Sequence, residues 1–291
     1  MPKTTPGVIK NLLKRSHRPL VMGILNVTPD SFYDGGSYTN LQEQVDRAGL
    51  MVDAGVDLLD IGGESTRPGS EPVTVGEELN RTQPLIEALQ KNVTVPLSID
   101  TRKSEVAVQA LAAGATIVND ISALRYDPEM TTVVATTGAD IILMHMQGTP
   151  REMQDNPVYA DLLQEVRSFL RERVTVAINA GIDSNCITTD PGIGFGKRLQ
   201  DNLELLANPD ACRIDDCPLL IGASRKSFIN LIQPDTSPAG RLPGTLAAHL
   251  FAVATGGCDI LRVHDVTETV QSLAVWRRLQ DAAGSDRDTL E

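Results

Sequence analysis

The stretch VPLSIDTRKSEVAVQALAAGATIVND, residues 95–120, decides the fold. It contains two short apolar runs, Val95–Asp100 and Ala115–Asp120, and each run ends on a polar residue. The segment between them, Ser104–Ala113, has the spacing of a helix packed on a sheet. Gly114 supplies the left-handed cap that ends such a helix and returns the chain to the next strand. This order predicts two parallel strands joined by a crossover helix.

The same unit recurs along the whole chain. Eight apolar runs alternate with helical segments, at Leu20–Val27, Asp57–Gly62, Val95–Asp100, Ala115–Asp120, Ala139–His145, Cys186–Asp190, Pro218–Ser224 and Cys258–His264. Eight such repeats predict an α/β fold, a (β/α)₈ or TIM barrel, as a single domain. We expect a solvated basic lead-in over residues 1–19, the barrel over 20–283 and a polar tail over 284–291.

Composition excludes several classes of protein. There are 26 Lys and Arg residues against 38 Asp and Glu, a formal net charge of −12. Without a basic run, this charge argues against nucleic acid or an anionic membrane as partner. No apolar run is long enough to span a membrane. The four cysteines form no C-x-x-C pair, so we expect reduced structural thiols and a cytoplasmic protein.

The ends of the predicted strands are the place to look for function, because barrel active sites lie at the C-terminal strand ends. The side chains there are Asn26, Glu64, Asp100, Asn119, His145, Asp190, Lys226, Arg262 and His264. Alternation along each strand turns Asp100, Asn119 and Asp190 inward. A buried carboxylate needs donors, and we expect a ligand to supply them. The alternative is that Asp100 and Asp190 pair with Lys103 or Arg102 to hold loops.

The residue types at this mouth indicate the kind of ligand. Carboxylates accept from ring N–H and NH₂ groups while amides both donate and accept, so a guanine or a pterin fits. Cations follow the second, seventh and eighth strands, at Arg67, Arg225, Lys226, Arg262 and His264. They predict a phosphate or diphosphate group. For Arg225 and Lys226 alone, a solvated loop is the alternative.

Three loops add to this interpretation. Those at 28–37 and 62–72 are longer than usual βα connections, which favours lids, with surface decoration as the alternative. The run Gly192–Arg198 lacks the Walker spacing, and we expect its glycines to let the backbone approach the ligand. The histidines lack the spacing of a catalytic zinc site. A hard metal is predicted instead, Mg²⁺, with Asn26 as its ligand and other oxygens from the diphosphate.

These residues resemble the dihydropteroate synthase family of folate biosynthesis. The resemblance covers nearly the whole chain and depends on Met22–Gly36, Asp60–Gly69, Asp190–Lys197, Ser224–Ser227 and Arg262–Asp265. It implies a cytoplasmic homodimer, a target of sulfonamides. It also implies a transferase that joins 6-hydroxymethyl-7,8-dihydropterin diphosphate to p-aminobenzoate by an SN1-like displacement, with Mg²⁺.

The resemblance also implies roles for single residues. Asp100, Asn119, Asp190 and Lys226 would bind the pterin, and Asn26, Arg262 and His264 would hold the diphosphate and metal. Arg67, Pro68 and Ser227 would lie near the aminobenzoate. Thr66 belongs to the second loop and Phe32 and Asp34 to the first, and the substrate site would also include Thr66, Phe32, Met144 and Phe195. The catalytic set would be Asp34, Asp100, Lys226 and Arg262.

Two other functions fit part of the pattern. A pterin-binding barrel of a methyltransferase would share the carboxylate and amide pocket but pass a methyl group to a corrinoid. Such a methyltransferase binds no diphosphate and does not need the cations of Ser65–Pro68 and Ser224–Ser227. The presence of these cations therefore argues against a methyltransferase. A non-catalytic pterin-binding paralogue is the other alternative, and an activity assay distinguishes it.

Overall fold

A computed structural model describes residues 6–27, 38–66 and 69–285, and it confirms the predicted barrel. Its strands are β1 (Leu20–Asn26), β2 (Leu58–Gly62), β3 (Leu97–Asp100), β4 (Ile117–Asp120), β5 (Asp140–Met144), β6 (Ile187–Asp190), β7 (Leu220–Ile221) and β8 (Ile260–Val263). Each lies within one of the eight apolar runs. All the pairings are parallel, in the order β6-β5-β4-β3-β2-β1-β8-β7.

The sheet closes between its two outer strands. Thr189 of β6 forms a parallel bridge with Leu219, next to β7. The N–H of Thr189 also donates to the carbonyl of Pro218 over 2.9 Å. This closure brings the C-terminal ends of all eight strands into one ring.

Helices surround the barrel. They are α1 (Val8–Leu13), α2 (Tyr38–Asp53), α3 (Val75–Asn92), α4 (Ser104–Ala113), α5 (Glu129–Thr137), α6 (Leu162–Asn179), α7 (Leu199–Ala207), α8 (Ser227–Ile232), α9 (Leu242–Ala254) and α10 (Val266–Ser285). Glycine ends both helices at this point of the repeat: the predicted Gly114 caps α4 with φ of 122° and Gly138 caps α5 with φ of 71°. Positive φ values cost other residues free energy. In the described part of the chain, no helix has the length and hydropathy needed to cross a bilayer.

The prediction of a solvated lead-in is wrong for residues 7–13. The Asp140 carboxylate accepts from the N–H groups of Gly7 over 2.9 Å and Ile9 over 2.8 Å, at the start of α1. The Ile9 side chain is 1% exposed and packs with the barrel interior. Because Asp140 is more than 130 residues away in sequence, the local composition of the lead-in carried no sign of this cap.

Two layers of side chains fill the inside of the barrel. The lower layer is apolar, and α1 covers it with Ile9; its strand residues are Leu20, Met22, Leu58, Ile117, Ile142, Leu220 and Ile260. Two residues further along several of these strands, the inward side chains become polar. This upper layer is two inward positions deep on β3 and β6, and it contains Asp60, Ser98, Asp100, Asn119, Thr188, Asp190 and Arg262. The upper layer forms the floor of the candidate site.

Candidate active site

A narrow cleft opens above the upper layer. Its wall consists of Thr66, Asp100, Asn119, Ile121, Met144, Asp190, Ile193, Phe195, Gly222, Lys226 and Arg262. Within the described residues, every member of the predicted substrate-binding set lies in this wall except Ser227 and His264. The strand ends therefore bring together side chains that are up to 196 positions apart, from Thr66 to Arg262.

Arg262 joins the two carboxylates of the floor. Its Nε donates to Asp60 Oδ2 and its Nη2 to Asp100 Oδ2, both over 2.7 Å. Asn119 Nδ2 donates to the same Asp60 oxygen over 3.0 Å. Arg262 therefore turns inward instead of lying on the rim, and it supplies Asp100 Oδ2 with a donor from within the protein, in addition to the donors that we expect from a ligand. The alternative, pairing with Lys103 or Arg102, is wrong.

Asp60 is a site residue that the sequence analysis missed. It is fully buried at the centre of β2 and accepts from both Arg262 and Asn119. The sequence did contain one signal. Asp60 comes two residues after Leu58 in an otherwise apolar strand, so the two side chains point to the same, inward face. A carboxylate at such a position requires a buried cationic or hydrogen-bonding partner.

Burial shifts the ionisation of the cleft's charged groups towards neutral pH. Burial raises the pKa of Asp100 to about 7, although Arg262 acts in the opposite direction. It lowers the pKa of Lys226 to about 8, with the Arg262 charge adding to the effect. Burial also raises the pKa of Asp190, whose carboxylate accepts from the Gly192 N–H over 2.7 Å. The cleft can therefore exchange protons near neutral pH.

Asn26 ends β1 beside the floor of the cleft. The neighbouring Gly62 of β2 leaves a gap, and a methyl group there would lie 3.7 Å from both Asn26 Oδ1 and Asp100 Oδ2. Two hard oxygen atoms thus border one space. Across the described ranges, no cluster of three or more His, Cys, Asp or Glu side chains could enclose a metal. A cation here would need oxygens from a substrate, as Mg²⁺ commonly does.

The residues after β7 and β8 are arranged differently from the prediction. Arg225 is expected on a cationic rim, but its Nε donates to Asp265 Oδ2 over 2.9 Å, so its charge is already paired. Ser224 Oγ contacts His264 Nδ1 at 2.9 Å and accepts from the His264 N–H. Burial lowers the pKa of His264 to about 3, which keeps the ring neutral. Ser227 is exposed at the start of α8.

The glycines of the β6 loop, residues 191–198, have a different role from the predicted one. A methyl group on Gly192 would lie 1.9 Å from the carbonyl oxygen of His145. One on Gly196 would lie 2.7 Å from the carbonyl of Gln147. The glycines therefore allow the β6 loop to pack on the backbone that follows β5. The prediction that they serve close approach to a ligand is wrong for these two positions.

Glu64 lies near the strand ends but points away from the cleft. Its carboxylate accepts from Arg102 Nη2 over 2.8 Å and pairs with Lys103, which also pairs with the buried Glu78. This cluster anchors the beginning of the second loop to α3 and α4. Phe32, Asp34, Arg67 and Pro68 lie outside the described residues, as does most of the 284–291 tail.

The chain matches known proteins along most of its length. The family model described as pterin binding enzyme matches residues 22–264. The dihydropteroate synthase of Synechocystis sp. is 47% identical over 264 residues, which cover 89% of this chain and 91% of that protein. The dihydropteroate synthase of Escherichia coli K12 is 46% identical over 263 residues, covering 90% and 92%.

Solved structures agree. The Yersinia pestis dihydropteroate synthase, in complex with a sulfonamide drug, is 43% identical with a TM-score of 0.85 and covers 91% of this chain and 95% of its own. The Xanthomonas albilineans dihydropteroate synthase with 4-aminobenzoic acid is 46% identical with a TM-score of 0.84, covering 91% and 94%.

Proposed function

The chain belongs to the dihydropteroate synthase family of pterin-binding enzymes, and we propose that it condenses 6-hydroxymethyl-7,8-dihydropterin diphosphate with p-aminobenzoate. The products are 7,8-dihydropteroate and diphosphate, so the protein is a transferase of folate biosynthesis. The observation that carries the proposal is the composition of one cleft, where carboxylates and an amide lie beside two cations. The carboxylates and the amide suit a pterin, and the two cations suit a diphosphate.

The pterin ring binds against the floor of the cleft. Asp100 and Asp190 accept from its ring N–H and NH₂ groups, and the Asn119 amide both donates and accepts. The apolar side chains of Ile121, Met144 and Ile193 supply the flat faces that a heterocycle requires. The two acids are held by partners, Asp100 by Arg262 and Asp190 by the Gly192 N–H, so their orientation is set before the ligand arrives.

The reaction proceeds by departure of the diphosphate before the new bond forms. The methylene C–O bond breaks, and its electron pair leaves with the diphosphate. The p-aminobenzoate nitrogen then uses its lone pair to form the new C–N bond to the pterin-methyl cation, and the resulting ammonium gives its proton to solvent. Lys226 and Arg262 stabilise the departing negative charge, while the Asp100 and Asp190 carboxylates stabilise the positive charge on the ring.

We further propose that Mg²⁺ takes part and that Asn26 is its protein ligand. The Asn26 amide oxygen suits this hard cation and borders the gap beside Gly62, whereas Asp100 Oδ2 on the same gap is already paired with Arg262. When bound with the substrate, Mg²⁺ neutralises negative charge on the diphosphate. Asn26 orients the substrate's diphosphate end, together with Arg262 and His264.

The remaining assignments follow the family resemblance. Thr66 and Phe195, both in the wall of the cleft, support an aminobenzoate site between them. We place Ser227 at its outer edge. Phe32, Arg67 and Pro68 complete the same site, and Asp34 completes the catalytic set. These four assignments are tested by substitution followed by measurement of KM for each substrate.

We also propose a cytoplasmic homodimer. Large apolar side chains are exposed on α8, α9 and α10, at Leu231, Ile232, Phe251, Val275 and Leu279. Such an apolar surface favours self-association. The four cysteines are buried and free, which supports a reducing compartment. Light scattering coupled to size exclusion checks the dimer, and a purely monomeric mass at micromolar concentration would remove it.

The decisive experiment measures diphosphate release from the dihydropterin diphosphate in the presence of Mg²⁺, with and without p-aminobenzoate, alongside dihydropteroate. We expect both products to appear together and only with both substrates. Pterin binding without turnover would overturn the proposed function in favour of a binding protein. Methyl transfer to a corrinoid would overturn it in favour of a methyltransferase.

A further inference from the structure

The β6 loop contains a buried lysine that the proposed reaction does not use. Lys197 is 3% exposed, although lysine rarely lies inside a protein. Its Nζ donates to the carbonyl oxygen of Phe195 and lies 3.0 Å from that atom. The same Nζ is 3.0 Å from His145 Nδ1. Lys197 is thus bonded beneath the loop and does not line the cleft.

His145 is suited to accept a hydrogen bond from Lys197, although burial lowers the pKa of the Lys197 amine to about 7. Burial and the nearby Lys197 charge lower the pKa of His145, so its ring is neutral. Nδ1 then accepts a hydrogen bond while Nε2 carries the proton. The ring is fixed by an edge contact with Phe169, whose centroid is 4.9 Å away. Lys197 therefore links the end of β5 to the β6 loop.

Other side chains hold the flanks of the same loop. Tyr159 Oη donates to the Gly196 carbonyl over 2.7 Å. Asn202 Oδ1 accepts from the Gly194 N–H over 2.6 Å. The Phe195 carbonyl lies between these two points, and its side-chain donor is Lys197. Lys197 is thus one of two groups that hold the backbone of residue 195, because the Phe195 N–H also donates to the Gly192 carbonyl over 3.1 Å.

The backbone position of residue 195 affects the cleft through the Phe195 ring. It lies in the cleft wall, and Lys226 Nζ is 3.9 Å from its centroid. A cation at this distance is attracted to the face of the ring. Beneath, the ring packs with Ile121, Met144, Met146 and Met153. These flexible methionines allow the ring to shift when its backbone is not held.

We propose that Lys197 is a positioning residue, which holds the Phe195 backbone so that the Phe195 ring lines the aminobenzoate side of the cleft and stays against Lys226 Nζ. This role rests on the proposed function for its kinetic consequences. It explains why a lysine follows three glycines without forming a phosphate loop: the glycines bring the loop onto the β5 side, and the lysine fastens it there.

The first test is Lys197→Met, which removes the charge and both hydrogen bonds while preserving much of the side-chain volume. We expect KM for p-aminobenzoate to rise at least about tenfold, as for the loss of a charged hydrogen bond. KM for the pterin diphosphate should rise by a clearly smaller factor, because Lys226, which contacts that substrate, keeps its charge. The matched control is Lys91→Met, at an exposed lysine at the end of α3, with unchanged kinetics.

A double-substitution cycle separates positioning from general destabilisation. If Lys197 acts through the ring, Phe195→Ala and Phe195→Ala/Lys197→Met should have the same KM for p-aminobenzoate, because the ring is already gone. The thermal midpoint should still fall when Lys197→Met is added. An equal fold-increase of KM in both backgrounds would overturn the proposal, and so would equal increases for both substrates.

Two further measurements keep the proposal testable. If Lys197→Met does not fold, His145→Phe removes one of the two acceptors and should raise the same KM by a smaller factor. A crystal structure of the folded variant does not depend on activity, so it is informative even if the wild-type protein forms no dihydropteroate. We expect Lys226 Nζ to move away from the Phe195 ring. An unchanged 3.9 Å separation would overturn the role of Lys197.

Discussion

Two layers of side chains lie on the same strands inside the barrel and are built from opposite chemistry. On β2, Leu58 belongs to the apolar lower layer and Asp60 to the charged upper layer. On β8, Ile260 and Arg262 are related in the same way. The layers are only about 7 Å apart, the rise of two strand residues. One strand therefore supplies both packing and chemistry.

The difference lies in how completely each layer is satisfied. The lower layer buries side chains that lose nothing in an apolar environment. In the upper layer, Asp60 Oδ1 and Ser98 Oγ are buried without a hydrogen-bond partner among the described residues. Buried polar atoms of this kind cost free energy. The upper layer is thus preorganised for a ligand at the expense of stability, and the lower layer offsets that cost.

The largest expected effect breaks the upper layer. Asp100→Asn and Lys226→Ala should each lower kcat/KM by at least about 10²-fold, because each removes charge where it stabilises the transition state. Steady-state kinetics with both substrates measure the loss. Near-wild-type values in both variants would remove these residues from the mechanism and leave the upper layer as a binding surface.

The next effect breaks the lower layer alone. Leu58→Ala should reduce the free energy of unfolding by about 2–5 kcal/mol through a cavity in the barrel interior. Activity per folded molecule should remain close to wild type, because Asp60 keeps its partners. Urea denaturation measures the stability, and Leu50→Ala is the control, since Leu50 is 70% exposed. A loss of activity as large as in Asp100→Asn would mean that the layers are not separable.

The third prediction concerns the pH dependence of kcat/KM, which depends on the upper layer and the cleft above it. The cleft needs Asp100 ionised and Lys226 protonated, with pKa values of about 7 and about 8. We expect kcat/KM to rise through the first value, to fall above the second, and to change about tenfold per pH unit on either side. Asp100→Asn should abolish the dependence on the acidic side. A flat profile between pH 6 and 9 would contradict the assignment.

The smallest effect concerns stability. The folded pKa of Asp100 is raised above its unfolded value, so the folded state binds the proton more tightly. The protonated Asp100 side chain therefore contributes its full stabilisation below the pKa of the unfolded state. This contribution to the free energy of unfolding is lost as the pH rises to about 7. Asn resembles the protonated form. The measurement is the thermal unfolding midpoint of Asp100→Asn minus that of wild type, at pH 4 and at pH 8. This difference should be more favourable to Asp100→Asn at pH 8, by roughly 2–4 °C for each kcal/mol of stability that wild type loses between the two pH values. A gain that is equal at both pH values would contradict this linkage.

Much of the fold and part of the cleft could be predicted because their signals are local. The alternation of residues along β3 turns Asp100 inward regardless of the strand's neighbours. Gly138 ends α5 wherever the helix packs. Such features depend on backbone geometry over a few residues, so the printed sequence is enough to identify them.

The pairing of the charged groups could not be predicted in the same way. Arg262 pairs with Asp60, which is 202 positions away in the sequence. Asp140 accepts a hydrogen bond from the N–H of Gly7, which is 133 positions away. Lys197 also resembles a phosphate-binding lysine by its sequence context, yet it points into the protein. Each of these outcomes depends on which strands become neighbours when the barrel closes.

The sequence by itself determined the eightfold strand and helix pattern, the inward residues and the chemical type of the ligand, because hydrophobic periodicity and side-chain chemistry act within single elements. Only the tertiary structure decided which cation meets which carboxylate. It also decided that Arg225 is paired outside the cleft and that Lys197 holds Phe195. These choices depend on distances between elements remote in sequence, and Coulomb interactions and hydrogen bonds fall steeply with distance.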